Sequence, residues 1–170
     1  MADLTFQGDP VTLTGTPPEV GETVSSFRLH QSPGEPMAFE PPLQRPLLLT
    51  TAPSVDTPVC ANQLRAFDNR LENPGEDRSF DLWFVTRDLP FALDRFRNEH
   101  DITAARTLSD FKDRALGESL GLEVEEMGLL ARTVFVIDTD GTVTYRQLVS
   151  ELADEPDYEP AIQALADATE

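Results

Sequence analysis

Residues 46–71 constrain the fold more than any other stretch, because the hydrophobic period changes there once, across a proline-braced loop. Leu47-Leu48-Leu49-Thr50-Thr51 is a short apolar run bounded by Pro46 and Pro53. A run of that length between chain breakers reads as a buried central strand. Residues 61–71 are patterned as a helix, with Cys60, Leu64, Phe67 and Leu71 on one face at spacings of four, three and four. The loop Pro53-Ser54-Val55-Asp56-Thr57-Pro58-Val59 therefore delivers Cys60, the only cysteine, to the inward side of a helix's first turn. Unpaired N–H groups and the positive end of the peptide dipoles gather at a helix start. They favour thiolate, the nucleophilic form of cysteine.

The rest of the chain repeats this alternation. Leu4-Thr5-Phe6 and Val11-Thr12-Leu13 read as a hairpin turned by Gln7-Gly8-Asp9-Pro10. Residues 24–29 suit a short strand. Residues 31–46 carry five prolines and suit an ordered surface loop, with at most a brief strand at Met37-Ala38-Phe39. Asn73-Pro74-Gly75 should stop the first helix. Residues 80–86 read as a strand, followed by a helix that Asp88 can cap and Pro90 can start, with Phe91, Leu93 and Phe96 as its apolar positions. Residues 102–108 suit a short strand and 110–120 a helix closed by Gly121. Residues 133–137 form a β-prone run that Asp138-Thr139-Asp140-Gly141 turns into an antiparallel partner, and residues 160–168 a last helix. This order predicts an α/β sandwich with a mixed sheet, in one domain spanning 1–170.

Charge narrows the function classes. The chain has 13 basic and 31 acidic residues, a net charge of −18, which argues against nucleic acid and anionic membranes as partners. Two acidic clusters, Glu123/Glu125/Glu126 and Glu151/Asp154/Glu155/Asp157, lack calcium-loop spacing and are expected to be solvated surface. No apolar run approaches the roughly 18 residues of a membrane span. Met1-Ala2-Asp3-Leu4 has neither a basic start nor an apolar core, so a cytoplasmic location is expected. His30 and His100 are both expected at the surface, which leaves Cys60 without a hydrolase base and the chain without zinc-ligand spacing. No glycine-rich phosphate loop follows a strand, and no cofactor is expected.

A lone buried cysteine is ordinarily a small hydrophobe. Here Thr57 stands three residues before it, Pro53 and Pro58 stiffen the loop, and a helix begins at it. Pro53, Thr57 and Cys60 form the pattern Pro-x-x-x-Thr-x-x-Cys, which resembles the active-site signature of the peroxiredoxins. The blocks around it resemble the thiol peroxidase (Tpx) branch, in order and over nearly the whole chain. They are Phe6-Gln7-Gly8 with Pro10-Val11-Thr12-Leu13; Ala52 to Ala61; Asp88-Leu89-Pro90-Phe91-Ala92 with Arg95-Phe96; Ala131-Arg132 with Val136-Ile137-Asp138; and Gln147-Leu148-Val149 with Glu155-Pro156-Asp157-Tyr158.

The resemblance implies a thioredoxin-like three-layer sandwich with an added N-terminal β-hairpin, and a homodimer whose interface lies near the active-site loop. It makes Cys60 the peroxidatic cysteine, Thr57 the hydroxyl that orients peroxide, Pro53 a shield and Arg132 the cation that completes the site. Without the motif, Arg132 would be read as a strand-end arginine paired with one of the many carboxylates.

One departure alters the expected chemistry. Most members of the branch carry a resolving cysteine just after the block ending in Phe96, where this chain has Arg97. A one-cysteine peroxidase is therefore expected. Its sulfenic acid would be resolved by thioredoxin, glutaredoxin or a low-molecular-weight thiol. The alternative is a peroxide sensor or relay that passes oxidation to a partner protein. A Cys60–Cys60 disulfide between subunits is a further, weaker option. The branch tends to favour organic hydroperoxides over hydrogen peroxide.

Overall fold

The structure, a computed structural model, describes residues 3–71 and 78–170. Its centre is a mixed sheet of seven strands. In spatial order these are β11 (Val143–Leu148), β10 (Thr133–Ile137), β5 (Leu47–Thr51), β6 (Asp81–Thr86), β7 (Arg106–Ser109), β3 (Phe27–Ser32) and β4 (Glu35–Phe39). The three middle strands β5, β6 and β7 run parallel, and every other pairing in the sheet is antiparallel. The parallel steps are bridged by helices α1 (Pro58–Arg70) and α2 (Pro90–Glu99), as crossovers require.

The pleat of β5 divides the core in two. Leu48 faces Leu64 and Phe67 of α1, Leu93 and Phe96 of α2, and Ala161 and Leu165 of α4 (Tyr158–Ala168). Leu47 and Leu49 face the opposite way, toward Leu116 and Leu120 of α3 (Ala115–Leu120) and toward Phe27, Leu29 and Phe39. All five residues of β5 are buried, as a central strand covered on both faces demands. A third cluster lies under the N-terminal hairpin, β1 (Leu4–Phe6) and β2 (Asp9–Val11), where Leu4 meets Val124, Ala131 and Leu152.

Several expectations are corrected. The N-terminal turn is the pair Gln7-Gly8, both at positive φ (53° and 87°), while Asp9 and Pro10 belong to β2. Two residues at positive φ are what a tight hairpin loop needs. The expected strand at 24–29 begins three residues later and reaches Ser32. The proline-rich stretch contains β4, which tolerates Pro36 because it is the sheet's edge. The strand expected at 102–108 is only Arg106–Ser109, and the helix expected at 110–120 starts at Ala115. A small hairpin, β8 (Glu123–Val124) with β9 (Leu129–Leu130), was not anticipated. His30 is buried rather than at the surface, with its ring edge-on to Phe111. The proposed stop at Asn73-Pro74-Gly75 lies outside the described residues.

The acidic clusters are not merely solvated. Glu123 pairs with Arg87, Glu126 accepts from the Thr12 amide, and Glu151 accepts from Thr5, Gln7 and Gly8. Among the described residues no helix is long and apolar enough to cross a membrane.

Candidate active site

Sheet register places the two principal residues together. Thr133 of β10 lies opposite Thr51 at the C-terminal end of β5, so Arg132, one residue before Thr133, stands above that end. The chain leaving β5 turns through Ala52–Asp56 and starts α1, whose third residue is Cys60. The two residues are separated by 72 positions in sequence, yet Arg132 Nη1 lies 3.4 Å from Cys60 Sγ.

Cys60 is fully buried, consistent with its place on the inward stripe of α1. Thr57 is the N-cap of α1: its hydroxyl oxygen accepts from the Cys60 amide at 3.3 Å and its proton is donated to the Ser54 carbonyl at 3.1 Å. Pro53 is buried in the loop beneath, and Pro58 occupies the first helical position, where no N–H is missed. Cys60 thus touches both the exposed Thr57 and Arg132 at one strand end, while Pro53 lies in the loop between β5 and α1.

Arg132 is held entirely by neutral groups. Its Nε and Nη2 both donate to the Leu152 carbonyl, at 3.1 and 2.7 Å. Its Nη1 donates to Gln63 Oε1 at 2.6 Å. None of the ion pairs found among the described residues includes Arg132, although its guanidinium is buried. A buried cation without a counter-ion costs several kcal/mol of lost hydration, so this one is poised to receive an anion.

Two residues of the cluster were missed in the sequence. Gln63 is fully buried and links the centre to the sheet, donating to Thr50 Oγ1 at 2.5 Å and to the Thr51 carbonyl at 3.1 Å. A signal for it existed: it lies three residues after Cys60, a spacing that puts it on the same side of α1 as the apolar stripe. Asp88 was expected to cap α2, but that helix has no side-chain cap. The carboxylate turns back and accepts from Ser54 Oγ, the Val55 amide and Thr86 Oγ1, each at 2.7 Å. It thereby holds the Pro53–Thr57 loop against the end of β6.

Further out, the Tyr158 ring packs edge-on against Phe67 of α1, at 5.0 Å between centroids. Burial and a hydrogen bond to Glu155 raise its phenol above the ordinary tyrosine range. Leu93 is core, as expected, whereas Phe91 is 67% exposed and Leu89 is 53% exposed. A groove of about 500 Å³ runs between the N-terminal hairpin and β11 and is not lined by Cys60. What marks this site is the spatial grouping of a thiol, a hydroxyl and a guanidinium that forms no ion pair among the described residues.

This geometry has relatives. Residues 19–162 match the Redoxin family. A thiol peroxidase of Halalkalibacterium halodurans is 38% identical over 164 residues, spanning 96% of this chain and 97% of that protein. The thiol peroxidase of Bacillus subtilis is 36% identical over a like span, 96% of each. Among solved structures, a peroxiredoxin-like protein from Aquifex aeolicus superposes with a TM-score of 0.91 at 30% identity, over 99% of this chain and 98% of that one. A thioredoxin-like α/β fold around a mixed sheet, a redoxin match over most of the length and close relatives of one kind lead to one assignment: the chain belongs to the thiol peroxidase branch of the redoxin (peroxiredoxin) family.

Proposed function

We propose that this peroxidase works through Cys60 alone. It would reduce hydrogen peroxide and organic hydroperoxides by a one-cysteine cycle and be returned to the thiol by an external thiol reductant. The observation that carries the reading is the 3.4 Å contact between Cys60 Sγ and a buried Arg132 guanidinium that forms no ion pair among the described residues.

Cys60, as thiolate, attacks the distal oxygen of ROOH. The S–O bond forms as the O–O bond breaks, and the alkoxide leaves and takes a proton to become ROH. The sulfur is oxidised to sulfenic acid. Arg132 supports both ends of this step, because Nη1 faces the sulfur anion before attack and the developing oxygen charge during it. Thr57 has already committed its proton to Ser54, so its remaining lone pair accepts the peroxide O–H and aligns it with Sγ. Pro53 closes the floor of the site against water.

Recycling needs two reductant thiols. One condenses with the sulfenic acid, releasing water and leaving a mixed disulfide. The second attacks that disulfide and frees Cys60, so the reductant leaves as its disulfide. Cys60 is the only cysteine of the chain, which supports an external thiol (thioredoxin, glutaredoxin or a low-molecular-weight thiol) in both roles. The exposed Leu89 and Phe91, directly after the loop-holding Asp88, support a homodimer that covers this edge. Cytoplasmic location and a single folded domain over 1–170 complete the reading.

The test is a stopped-flow measurement of peroxide consumption with each reductant class, with Cys60→Ser alongside. Expected are a stoichiometric sulfenate trapped by a dione probe, multiple turnover with at least one reductant, and no reaction in Cys60→Ser. Peroxide reduction that survives Cys60→Ser would overturn the assignment. Fast sulfenate formation without turnover under any reductant would replace the one-cysteine enzyme with a peroxide relay.

A further inference from the structure

The reaction chemistry leaves the N-terminal hairpin without a role, yet β1 is tied closely to a turn beside the site. The Thr5 amide donates to the Ser150 carbonyl and the Leu152 amide donates to the Thr5 carbonyl, both at 2.8 Å. Glu151 closes the other side of this bridge. Its carboxylate accepts from the Thr5 hydroxyl at 2.5 Å, the Gln7 amide at 2.7 Å and the Gly8 amide at 3.2 Å. The positive-φ turn at Gln7-Gly8 is what turns those two amides toward one carboxylate. Beneath them the Leu152 side chain is fully buried against Leu4, Val124 and Ala131.

The object so held is the Leu152 carbonyl, which receives both Nε and Nη2 of Arg132. Two donors on one oxygen fix the roll of the guanidinium plane, and that roll decides whether Nη1 points at Cys60 Sγ and Gln63 Oε1. Leu152 lies in a turn rather than in the ladder of the central sheet, so its carbonyl depends on the hairpin for its placement.

We propose that the N-terminal hairpin is a positioning device for Arg132, acting through a Thr5–Glu151 clamp that fixes the Leu152 carbonyl. Thr5 and Glu151 are positioning residues and touch no substrate. The inference rests on the reading of Cys60 and Arg132 given above. A misplacement of order 1 Å at a reacting group costs up to about 100-fold in rate, which leaves room for a remote clamp to matter.

The experiment uses the full chain carrying Thr5→Val, Glu151→Gln and the two together, with ¹⁵N-arginine labelling. The Arg132 Nε–H signal, assigned with Arg132→Lys, should shift or broaden in the clamp variants, while that of Arg87 stays in place. The rate constant for Cys60 oxidation should fall about 5- to 30-fold in the double variant. In an Arg132→Lys background the clamp variants should cause no further loss, because the group they position is gone. An unmoved Arg132 signal, an unchanged rate despite a moved signal, or a loss that multiplies fully on Arg132→Lys would each overturn the clamp. Glu151→Gln alone is the mild variant should the double one fold poorly. If instead Arg132→Lys itself reacts at the native rate, the catalytic reading of Arg132 fails, and a moved Nε–H signal still reports the clamp.

Discussion

Arg87, beside Gly117 of α3, and Arg132, beside Cys60 and Gln63 of α1, both withdraw their guanidinium groups from solvent, and they are satisfied in opposite ways. Arg87 Nη1 lies 2.5 Å from Glu123 and its Nε 3.5 Å from Asp110, so its charge is balanced twice over. Its hydrogen bonding is poor, because Nε and Nη2 have no well-directed acceptor. Arg132 is the reverse: Nε, Nη1 and Nη2 all donate, to Leu152, Gln63 and Cys60, and no ion pair among the described residues includes it. With 31 acidic residues in the chain, the lack of one here is an arrangement and not a shortage. Hydrogen bonds to neutral groups orient a guanidinium without consuming its field. Carboxylates consume the field, which suits a structural ion pair and would disable a site that must attract a sulfur or oxygen anion.

Separating the two roles by mutation gives the largest expected effect. Arg132→Gln should lower kcat/KM for peroxide by roughly 100- to 1,000-fold, the range for losing one preorganised donor to a developing charge. Its unfolding midpoint in urea should stay near the native one, since the change removes an unbalanced buried charge along with its hydrogen bonds. A variant that kept native kcat/KM would end the distinction between the two arginines.

Arg87→Met should do the converse. It strands Asp110 and Glu123, and breaking a buried pair from one side costs about 3–5 kcal/mol. Urea unfolding measures this, while the Cys60 oxidation rate of the folded fraction should remain within about twofold of native. Gly117→Ala asks the same question more gently. A Cβ at position 117 would clash with Arg87 Nη2 and crowd Asp110 Oδ2 at 3.2 Å. Overpacking of this kind costs about 1–3 kcal/mol, again read as stability and not as rate.

That contrast could not be read in the sequence. Both arginines stand at strand ends, each beside a threonine, and only the motif context favoured Arg132. What was legible was local: the β5 run, the α1 stripe that turns Cys60 inward, the β10–β11 turn and the Gly121 stop all follow from short-range pattern. What failed was long-range. Asp88 has the right chemistry for a cap, but two donors from the loop before α1 and the Thr86 hydroxyl at the end of β6 hold it instead. Phe91 fits an apolar helical period yet faces outward. The brief strand expected at Met37-Ala38-Phe39 lies within β4, and Pro36 hid only its start because the rule against proline is relaxed on an edge strand. Glu123 and Glu151 were indistinguishable from solvated acids until register brought Arg87 to one and the hairpin to the other.

The smallest effect concerns protons, and its sign differs between the two regions. On the Arg87 side, burial pushes the Asp110 carboxyl up, against the pull of the Leu116 and Gly117 amides and of Arg87 itself. On the Arg132 side Glu151 directly precedes the anchoring Leu152. Chiefly through the Thr5 hydroxyl, with the Ala153, Gln7 and Gly8 amides adding to it, its carboxyl is lowered to about 2. A raised carboxyl binds its proton more readily folded than unfolded, so the contribution of Asp110 to stability diminishes as pH rises through its folded value. A lowered carboxyl does the opposite: the contribution of Glu151 is complete above the ordinary value of 4.5 and is lost as pH falls toward 2. Carboxyl ¹³C shifts followed from pH 7 downward should therefore show Asp110 protonating first and Glu151 last. The hairpin amides of Gln7 and Gly8 should hold their positions until Glu151 titrates, and in Glu151→Gln they should show no such step. Titration in the reverse order would mean that the hairpin is not held by the charge of Glu151.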